Sequence, residues 1–385
     1  MQQQRKIILV ISEDWYFLSH RFELARHLLA AGWDVVIATQ INEPADAATI
    51  ECAGLRLIHL SLERGRLFAL GDVGYLWRLI RLYRTERPDV VHHVAMKPVL
   101  YGSLAALCTP RLGVVNALAG LGFLFTSSSG VVRGVRAMAL MVFRRLFSRA
   151  HTLVILQNSE DLSLFRDQVG VPAANLRLIR GAGVDVSRYQ PVVHGPREIP
   201  VVVMVARMLR SKGVGELIEA ARQLQREDVR AQIQLVGGID DKNPNSLSLP
   251  ELNALKLENA VKWLGHQTNI SEIYAKADIA VLPSYREGMP KSLLEAAACG
   301  LPIITTDTSG CREVVADGEN GYLVPVRNAR RLAEALEKLI ADPVLRARMG
   351  ADSRARAERE FRLEVIIKKT LAVYDEVTQP DIPAA

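Results

Sequence analysis

Residues 283–302 read PSYREGMPKSLLEAAACGLP. The apolar run DIAVLP leads into it and PIITTD follows it, so the pattern predicts a buried strand, a helix and a second buried strand. Pro290 suits the first helical turn, because proline has no N–H group to leave unpaired there. The Gly-Leu-Pro at 300–302 ends the helix. A strand-helix-strand unit of this kind predicts a parallel sheet.

On both sides of this stretch, apolar strand patterns and helical patterns alternate along the whole chain. The first half contains KIILVIS, DVVIAT, RLIHL, DVVHHV, GVVNAL and TLVILQ, and the second half begins afresh with VVVMVAR, AQIQLVGG and VKWLGH. Strands this apolar have no face for water, so helices must cover both sides of each sheet. The predicted fold class is α/β, with two doubly wound Rossmann-like domains that face each other across a cleft.

The domain boundary is predicted from YQPVVHGPREIP, residues 189–200, which holds three prolines and has no helical or strand periodicity. Such a segment is typical of an interdomain linker. We therefore predict a first domain at 1–190, a linker at 191–200, a second domain at 201–360 and a C-terminal segment at 361–385. Ligands of open parallel sheets bind beyond the carboxyl ends of the strands, so functional residues are expected where strands stop.

Composition limits the function classes. The chain has 385 residues, 49% of them hydrophobic, and 48 Lys and Arg against 42 Asp and Glu give a net charge of +6. This modest basic excess fits an anionic ligand or membrane surface and argues against a nucleic-acid partner. Four cysteines without a CxxC spacing, and no signal peptide, predict a cytoplasmic protein without a disulfide framework. No apolar run reaches about eighteen residues, so any membrane contact is expected to be peripheral.

The quoted stretch places Glu287 in the loop before the helix and Glu295 inside it. A helix start, here near Gly288, Met289 and Pro290, favours a phosphate because its N–H groups are unpaired. A carboxylate beside it would repel phosphate unless it contacts hydroxyl groups, so the pattern predicts a ligand with both sugar and phosphate. Glu295 is a candidate for binding a ribose diol, or it is an ordinary solvated helix residue. Its apolar neighbours favour burial, and a buried charge requires a partner.

Two basic residues, Arg207 and Lys212, follow the first strand of the second half in VARMLRSKG. A planar guanidinium and a compact ammonium can together neutralise a departing diphosphate. Taken singly, each could be a surface residue, but charges of both signs are expected at the ends of neighbouring strands. Gly237 ends another strand, QLVGG, where a missing side chain would let a flat base approach the backbone.

These motifs together resemble a known enzyme family. ARMLRSKG, LVGG, GAGVD and SYREGMPKSLLEAAACGLPIITTDTSGCREVV resemble the retaining GT-B glycosyltransferases of family 4, which carry an E-x7-E motif. ISEDWYFLSHRFELARHLLAAGWDV and HHVAMKPVLYGS resemble a bacterial subgroup that extends polyprenyl-diphosphate-linked sugars, including N-acetylgalactosaminyltransferases. The resemblance implies that the first domain binds the acceptor and that the last helix, near Ser353 to Thr378, crosses back onto the first domain.

For the donor, the resemblance implies that Glu287 contacts the sugar hydroxyls, Glu295 the ribose, and Arg207 with Lys212 the diphosphate. The expected activity is retaining transfer of an N-acetylhexosamine or other hexose from a UDP-sugar, which is a co-substrate, so no cofactor is expected. The chain has no Asp-x-Asp sequence, which predicts transfer without a metal. Two alternatives remain: a nucleotide-sugar epimerase, for which Glu13, Asp14 and Glu63 are loosely placed, and a non-catalytic nucleotide-sugar-binding scaffold.

The acceptor side is less well marked. Many family members carry a histidine in an N-domain loop, where this chain has VVNALAGLG, residues 114–122. Candidates for that side come from this loop and from two other strand ends, and they are His20, Arg21, His93, Lys97, Asn116 and Gly122. His92 and His93 alternate faces of their strand, so one of them is expected to point into the cleft; a structural role is the alternative. Lys97 is a candidate for the acceptor diphosphate.

Membrane contact is predicted from two basic helices. In YLWRLIRLYR, Arg78, Arg81 and Arg84 lie opposite an apolar face, and the segment from Arg133 to Arg149 is similar. A helix packed on a sheet shows the same pattern, and this interpretation is favoured for the first helix. For the second helix, peripheral contact with the inner face of the cell membrane is favoured, because a polyprenyl-linked acceptor would require it.

Overall fold

The computed structural model describes residues 4–62, 70–118, 140–192, 195, 197–241, 243–258 and 260–379. The chain divides into two compact units. The first unit comprises residues 1–182 and 367–385, and the second unit comprises residues 183–366.

The first unit contains, within its described residues, a seven-stranded parallel sheet in the order β3-β2-β1-β4-β5-β6-β7. Its strands are β1 (Lys6–Glu13), β2 (Asp34–Gln40), β3 (Arg56–His59), β4 (Val90–Val94), β5 (Gly113–Leu118), β6 (Thr152–Leu156) and β7 (Leu176–Leu178). Its helices are α1 (Asp14–His20), α2 (Phe22–Ala30), α3 (Pro44–Cys52), α4 (Leu70–Glu86), α5 (Met96–Ala106) and α6 (Ser159–Leu164). Residues 140–147 are also helical.

The second unit contains, across the residues described for it, a six-stranded parallel sheet in the order β10-β9-β8-β11-β12-β13. Its strands are β8 (Val201–Val205), β9 (Gln232–Val236), β10 (Lys262–Trp263), β11 (Ile279–Leu282), β12 (Ile303–Thr306) and β13 (Gly321–Val324). Its helices are α7 (Val214–Arg226), α8 (Leu249–Glu258), α9 (Ile270–Ala275), α10 (Lys291–Ala298), α11 (Ser309–Arg312), α12 (Ala329–Ala341) and α13 (Pro343–Arg356). The last helix, α14 (Leu363–Val377), begins in the second unit and ends in the first.

Both sheets are doubly wound, as predicted. The first unit runs outward from β1 to β3 and then returns to β4 beside β1; the second unit repeats this pattern with β8 and β11. Each sheet therefore has one point where the direction of winding reverses, and such a point opens a crevice at the carboxyl ends of the two central strands. The strand pairs β1–β4 and β8–β11 mark these two points.

Burial on both faces explains why the strands are so apolar. Four successive residues of β1, from Ile7 to Val10, have no exposed surface, although their side chains alternate between the two faces of the sheet. Helices therefore cover both faces, and each unit has its own apolar core. This arrangement confirms the prediction of parallel sheets between helical layers.

Several boundaries differ from the predicted ones. The helical segment that follows β1 is broken at Arg21, which separates α1 from α2. The helix predicted near Ser353 to Thr378 is interrupted by a π-helical turn, Ala357–Phe361, and by the extended residue Arg362. Residues 183–190 belong to the second unit, so the boundary between the units lies upstream of the predicted linker at 191–200.

Candidate active site

The central pair of the site is Lys212 with Glu287. Lys212 ends a short 3₁₀ turn after β8, and Glu287 lies in the loop after β11, the strand that neighbours β8. The Lys212 Nζ lies 2.5 Å from Glu287 Oε1, and the two side chains are 23% and 11% exposed. The pair thus lies at the winding reversal of the second unit, where open parallel sheets bind ligands.

Backbone contacts hold the two loops of this pair together. The carbonyl of Ser211 accepts hydrogen bonds from Tyr285 N at 2.9 Å and from Ser284 Oγ at 3.3 Å. The Tyr285 hydroxyl donates to Glu216 Oε1 at 2.6 Å, which joins the same loop to α7. Between them Gly213 has φ +77°, and a Cβ there would lie 2.0 Å from the carbonyl oxygen of Pro283. Only glycine fits this position, so the local sequence fixes where the Lys212 ammonium lies.

The loop from Glu287 to Pro290 is also closely packed. A Cβ on Gly310 would lie 2.6 Å from the carbonyl oxygen of Glu287 and 2.5 Å from that of Gly288. Met289 and Pro290 are buried. Pro290 is the N-cap of α10 and precedes its first residue, whereas the sequence pattern placed it in the first turn. The backbone at the start of α10 is therefore held against α11.

Glu295 is buried inside α10, with 6% of its surface exposed. Its Oε1 accepts hydrogen bonds from the Tyr189 hydroxyl at 2.9 Å and from Lys291 Nζ at 2.5 Å. The alternative of a solvated helix residue is therefore wrong, and the partners that burial requires are present. Burial and the charge of Glu295 raise the pKa of Cys299 to about 12. Sequence reasoning missed Tyr189 and Lys291, although Lys291 lies at the i, i+4 spacing that pairs charges on a helix.

Arg207 and Gly237 lie at the ends of β8 and β9. Arg207 Nη1 donates to Asp240 Oδ2 at 2.6 Å, an acidic partner that the sequence did not indicate. Gly237 has φ +149°, and a Cβ there would lie 1.8 Å from the carbonyl oxygen of Ala206. The approach of a neighbouring loop thus requires this glycine, whether or not a base binds near it.

On the acceptor side, His93 and Asn116 lie in the interior of the first unit. His93 Nδ1 is 2.8 Å from Asn116 Oδ1, and His93 Nε2 is 2.8 Å from the Tyr83 hydroxyl. Burial lowers the pKa of His93 to about 4, while the hydrogen bond to Asn116 acts in the opposite direction. His92, on the other face of β4, is also buried. Both histidines thus have partners within the first unit, and burial favours the structural alternative for His93.

Lys97 is engaged inside the first unit. Its Nζ lies 2.9 Å from Asp72 Oδ1, and Asp72 Oδ2 also accepts a hydrogen bond from Tyr101 at 2.7 Å. His20 stacks on Tyr16 at 4.1 Å between ring centroids. Lys97 and His20 are thus each engaged by a side chain of the first unit.

Arg21 is buried next to His20. The remaining acceptor-side candidate, Gly122, lies outside the described residues, as does Glu63.

Asp14, the acidic residue directly after β1, has a structural role, which argues against its use as a catalytic acid or base in an epimerase. Asp14 is fully buried and accepts hydrogen bonds from the backbone N–H groups of Trp15, Asn42 and Glu43 and from the Asn42 side chain. Burial raises the pKa of Asp14, but these hydrogen bonds outweigh it and the net shift is downward. A carboxylate held this way connects the ends of β1 and β2, which leaves Asp14 poorly suited to exchange protons with a substrate.

Comparison with known proteins identifies the family. Residues 6–158 match the family described as glycosyl transferase 4-like, and residues 190–356 match glycosyl transferases group 1. The chain belongs to the GT-B glycosyltransferases.

Relatives of this glycosyltransferase span most of its length. A Campylobacter jejuni enzyme named N,N'-diacetylbacillosaminyl-diphospho-undecaprenol alpha-1,3-N-acetylgalactosaminyltransferase is 29% identical over 336 residues, covering 84% of this chain and 86% of the relative. The Staphylococcus aureus capsular polysaccharide glycosyltransferase CapM is 25% identical, covering 79% and 81%. Anabaena HepE, solved in complex with UDP and glucose, superposes with a TM-score of 0.78 at 20% identity, covering 97% of this chain and all of that one.

Among the residues that the structure describes, no three His, Cys, Asp or Glu side chains cluster closely enough to hold a metal ion. Within the same ranges, no helix combines the length and the apolar character needed to cross a bilayer.

Proposed function

We propose that this glycosyltransferase moves a hexose, with an N-acetylhexosamine favoured, from a UDP-sugar onto a polyprenyl-diphosphate-linked saccharide, with retention of the anomeric configuration. The name of the C. jejuni relative supports the acceptor class, and the UDP and glucose bound to Anabaena HepE support the donor class. Assembly of an envelope polysaccharide or glycan is the process that fits such an acceptor.

The observation that carries the proposal is the Lys212–Glu287 pair at the winding reversal of the second unit. An ammonium has three N–H donors and Glu287 accepts one, so Lys212 can also bind a diphosphate oxygen. Glu287 can accept hydrogen bonds from sugar hydroxyls beside it. One pair thus presents a cation for the leaving group and an anion for the sugar, as a nucleotide sugar requires.

The chemical step follows from this arrangement. The bond between the anomeric carbon and the diphosphate oxygen breaks, and negative charge builds on the leaving diphosphate, where preorganised cations contribute most. The acceptor hydroxyl attacks on the face that the leaving group vacates, and its proton passes to a departing phosphate oxygen. No protein nucleophile takes part, and the new glycosidic bond keeps the anomeric configuration.

The remaining donor-side residues have supporting roles in this proposal. Arg207, held by Asp240, supplies a second cation near the diphosphate. Glu295, held by Tyr189 and Lys291 through one oxygen, presents its second carboxylate oxygen to the ribose. We propose that the reaction proceeds without a metal, since two cations already neutralise the leaving group.

The proposed membrane contact uses two helical segments of the first unit. The outer face of α4 exposes Val73 and Trp77 next to three arginines, and residues 140–149 expose Met141 next to three more. Both segments turn their apolar residues to the same core. Exposed apolar side chains among arginines suit the interface of an anionic bilayer, so we propose peripheral association with the cytoplasmic face of the cell membrane.

Binding to anionic vesicles should weaken with salt and in Trp77→Ala, while Arg330→Gln in the second unit should leave it unchanged.

The decisive experiment incubates the purified protein with UDP- and GDP-sugars and a synthetic polyprenyl-diphosphoryl sugar, with and without EDTA. We expect transfer from a UDP-sugar, unaffected by EDTA, with retention of configuration in the product by NMR. Inversion of the anomeric configuration would contradict the mechanism, and complete loss of activity in EDTA would contradict metal-independent transfer. Transfer only to oligosaccharides without lipid would contradict the proposed class of acceptor.

A further inference from the structure

Arg21 is a buried cation without an acidic partner. It lies between α1 and α2 with 6% of its surface exposed, and in the described residues no carboxylate lies within ion-pair distance of it. Its Nη1 donates to the neighbouring carbonyl of His20 at 3.1 Å, but its Nε is buried and has no hydrogen-bond partner. Buried arginines almost always have a paired anion, because an uncompensated charge in the interior is costly.

A second unpaired donor belongs to the same region. His92 on β4 is buried, and its Nδ1 lies 2.6 Å from the Tyr374 hydroxyl on α14. When Tyr374 donates this hydrogen bond, the imidazole proton is on Nε2. The His92 Nε2 is buried and, within the described part of the chain, has no partner.

The two groups lie within electrostatic reach of each other. Burial lowers the pKa of His92 well below its usual value, and the charge of Arg21 lowers it further. Burial raises the pKa of Tyr374, and Arg21 opposes that shift. β1, which leads into α1, lies beside β4 in the sheet, with Leu9 opposite His92. Arg21, His92 and Tyr374 thus form one polar cluster in the first unit.

The chemistry of the cluster points to an absent anion. A water molecule could accept from both N–H groups but would leave the guanidinium charge uncompensated. A phosphate oxygen would accept both hydrogen bonds and neutralise the charge. We propose that Arg21 and His92 form an anion site in the first unit that binds a phosphate or diphosphate group, with Tyr374 as a positioning residue that orients the imidazole.

Two sources could supply this group: the diphosphate of a lipid-linked acceptor or a free phosphate in solution. We assign the site to the acceptor diphosphate, and this assignment rests on the proposed function. Tyr16 and His20 stack on each other, and His20 directly precedes Arg21 in the sequence. Both residues are partly exposed, so they provide a side from which a ligand can approach.

The test measures pyrophosphate binding to the full-length protein by calorimetry and by thermal shift. All variants carry Lys212→Ala, so that pyrophosphate binding at the donor site is weakened and is the same in every variant compared. We expect pyrophosphate to raise Tm by several degrees and Arg21→Met to weaken its binding at least ten-fold. Without pyrophosphate, Arg21→Met should raise Tm, because it removes an unpaired buried charge. The matched control is Arg26→Met, which changes an exposed arginine of α2 that is paired with Glu23 of the same helix.

The outcomes separate the site from the reaction. Pyrophosphate binding that is absent, or equal in Arg21→Met and Arg26→Met, overturns the site. If Arg21→Met does not fold, His92→Gln takes its place, with the same expected loss of binding. With Lys212 restored, Arg21→Met should raise KM for the polyprenyl-diphosphoryl acceptor about ten-fold and leave KM for the UDP-sugar unchanged. An unchanged acceptor KM overturns the assignment to the acceptor, even where the proposed transfer itself is observed.

Discussion

At the scale of single residues, the donor site consists of charges that already have partners. Lys212 pairs with Glu287, Arg207 with Asp240, and Glu295 with Lys291. Each pair holds its cation or carboxylate in place before a substrate arrives, which lowers the cost of ordering flexible side chains during binding. The pairs also limit substitution, since removing one partner leaves the other charge partly buried and unpaired.

Lys212→Ala should lower kcat about 10²- to 10³-fold, because the leaving diphosphate loses its preorganised cation. KM for the acceptor should change little. Steady-state kinetics with UDP-sugar and acceptor measures both values.

Glu287 would remain unpaired in that variant, so a double variant, Lys212→Ala with Glu287→Gln, is measured as well because it removes both charges. Lys262→Ala, at an exposed lysine in β10, is the matched control and should retain full activity. Activity in Lys212→Ala equal to that of the control would contradict the role of this ammonium.

The same residues show what the sequence could and could not predict. Lys212 and Glu287 could be found because each follows an apolar strand, and strands placed side by side bring their ends together. Tyr189 and Asp240 could not, because their contacts depend on how loops far apart in the chain fold back. For His93 the sequence left two roles open, one in the cleft and one in the interior, since alternation along a strand does not reveal which helices cover each face.

At the scale of secondary-structure elements, the turn from β8 into α7 sets the position of the site. Its geometry depends on Gly213, whose positive φ and close contact with Pro283 exclude any side chain. The sequence showed a loop before a helix, but the need for glycine follows only from the approach of the neighbouring loop after β11.

Gly213→Ala should therefore destabilise the protein by about 2 kcal/mol or more and reduce activity, because it combines left-handed strain with a backbone clash. Gly215→Ala is the matched control: it lies two residues further on, in α7, and a Cβ there meets nothing within 4 Å. That change should stabilise the protein by about 0.5–1 kcal/mol. Urea unfolding of both variants measures the difference, and equal stabilities would contradict the argument.

At the scale of the whole molecule, acid stability depends on two histidines buried in the neutral form. The pKa of His93 in the folded protein is about 4, and that of His92 is also lowered, whereas an unfolded chain binds these protons near pH 6.5. The unfolded state therefore takes up more protons as the pH falls below 6.5. Their contribution to stability is complete above that pH and is lost between about 6.5 and 4, by on the order of 1 kcal/mol per pH unit.

Thermal unfolding should accordingly show Tm falling from pH 7 to pH 5, and His93→Gln should make this decline shallower. His59→Gln, at an exposed histidine, should leave the slope unchanged. The same slope in both variants would contradict the contribution of His93.

The path of the chain through α14 affects how the protein is made. Translation on the ribosome releases residues 367–379 after residues 183–366, and residues 367–379 belong to the first unit although 183–366 separate them from the rest of it. The nascent chain therefore holds every residue of the second unit before Tyr374 can reach His92. A message truncated after codon 366 would give a polypeptide whose early strands were synthesised first but whose first unit is never completed.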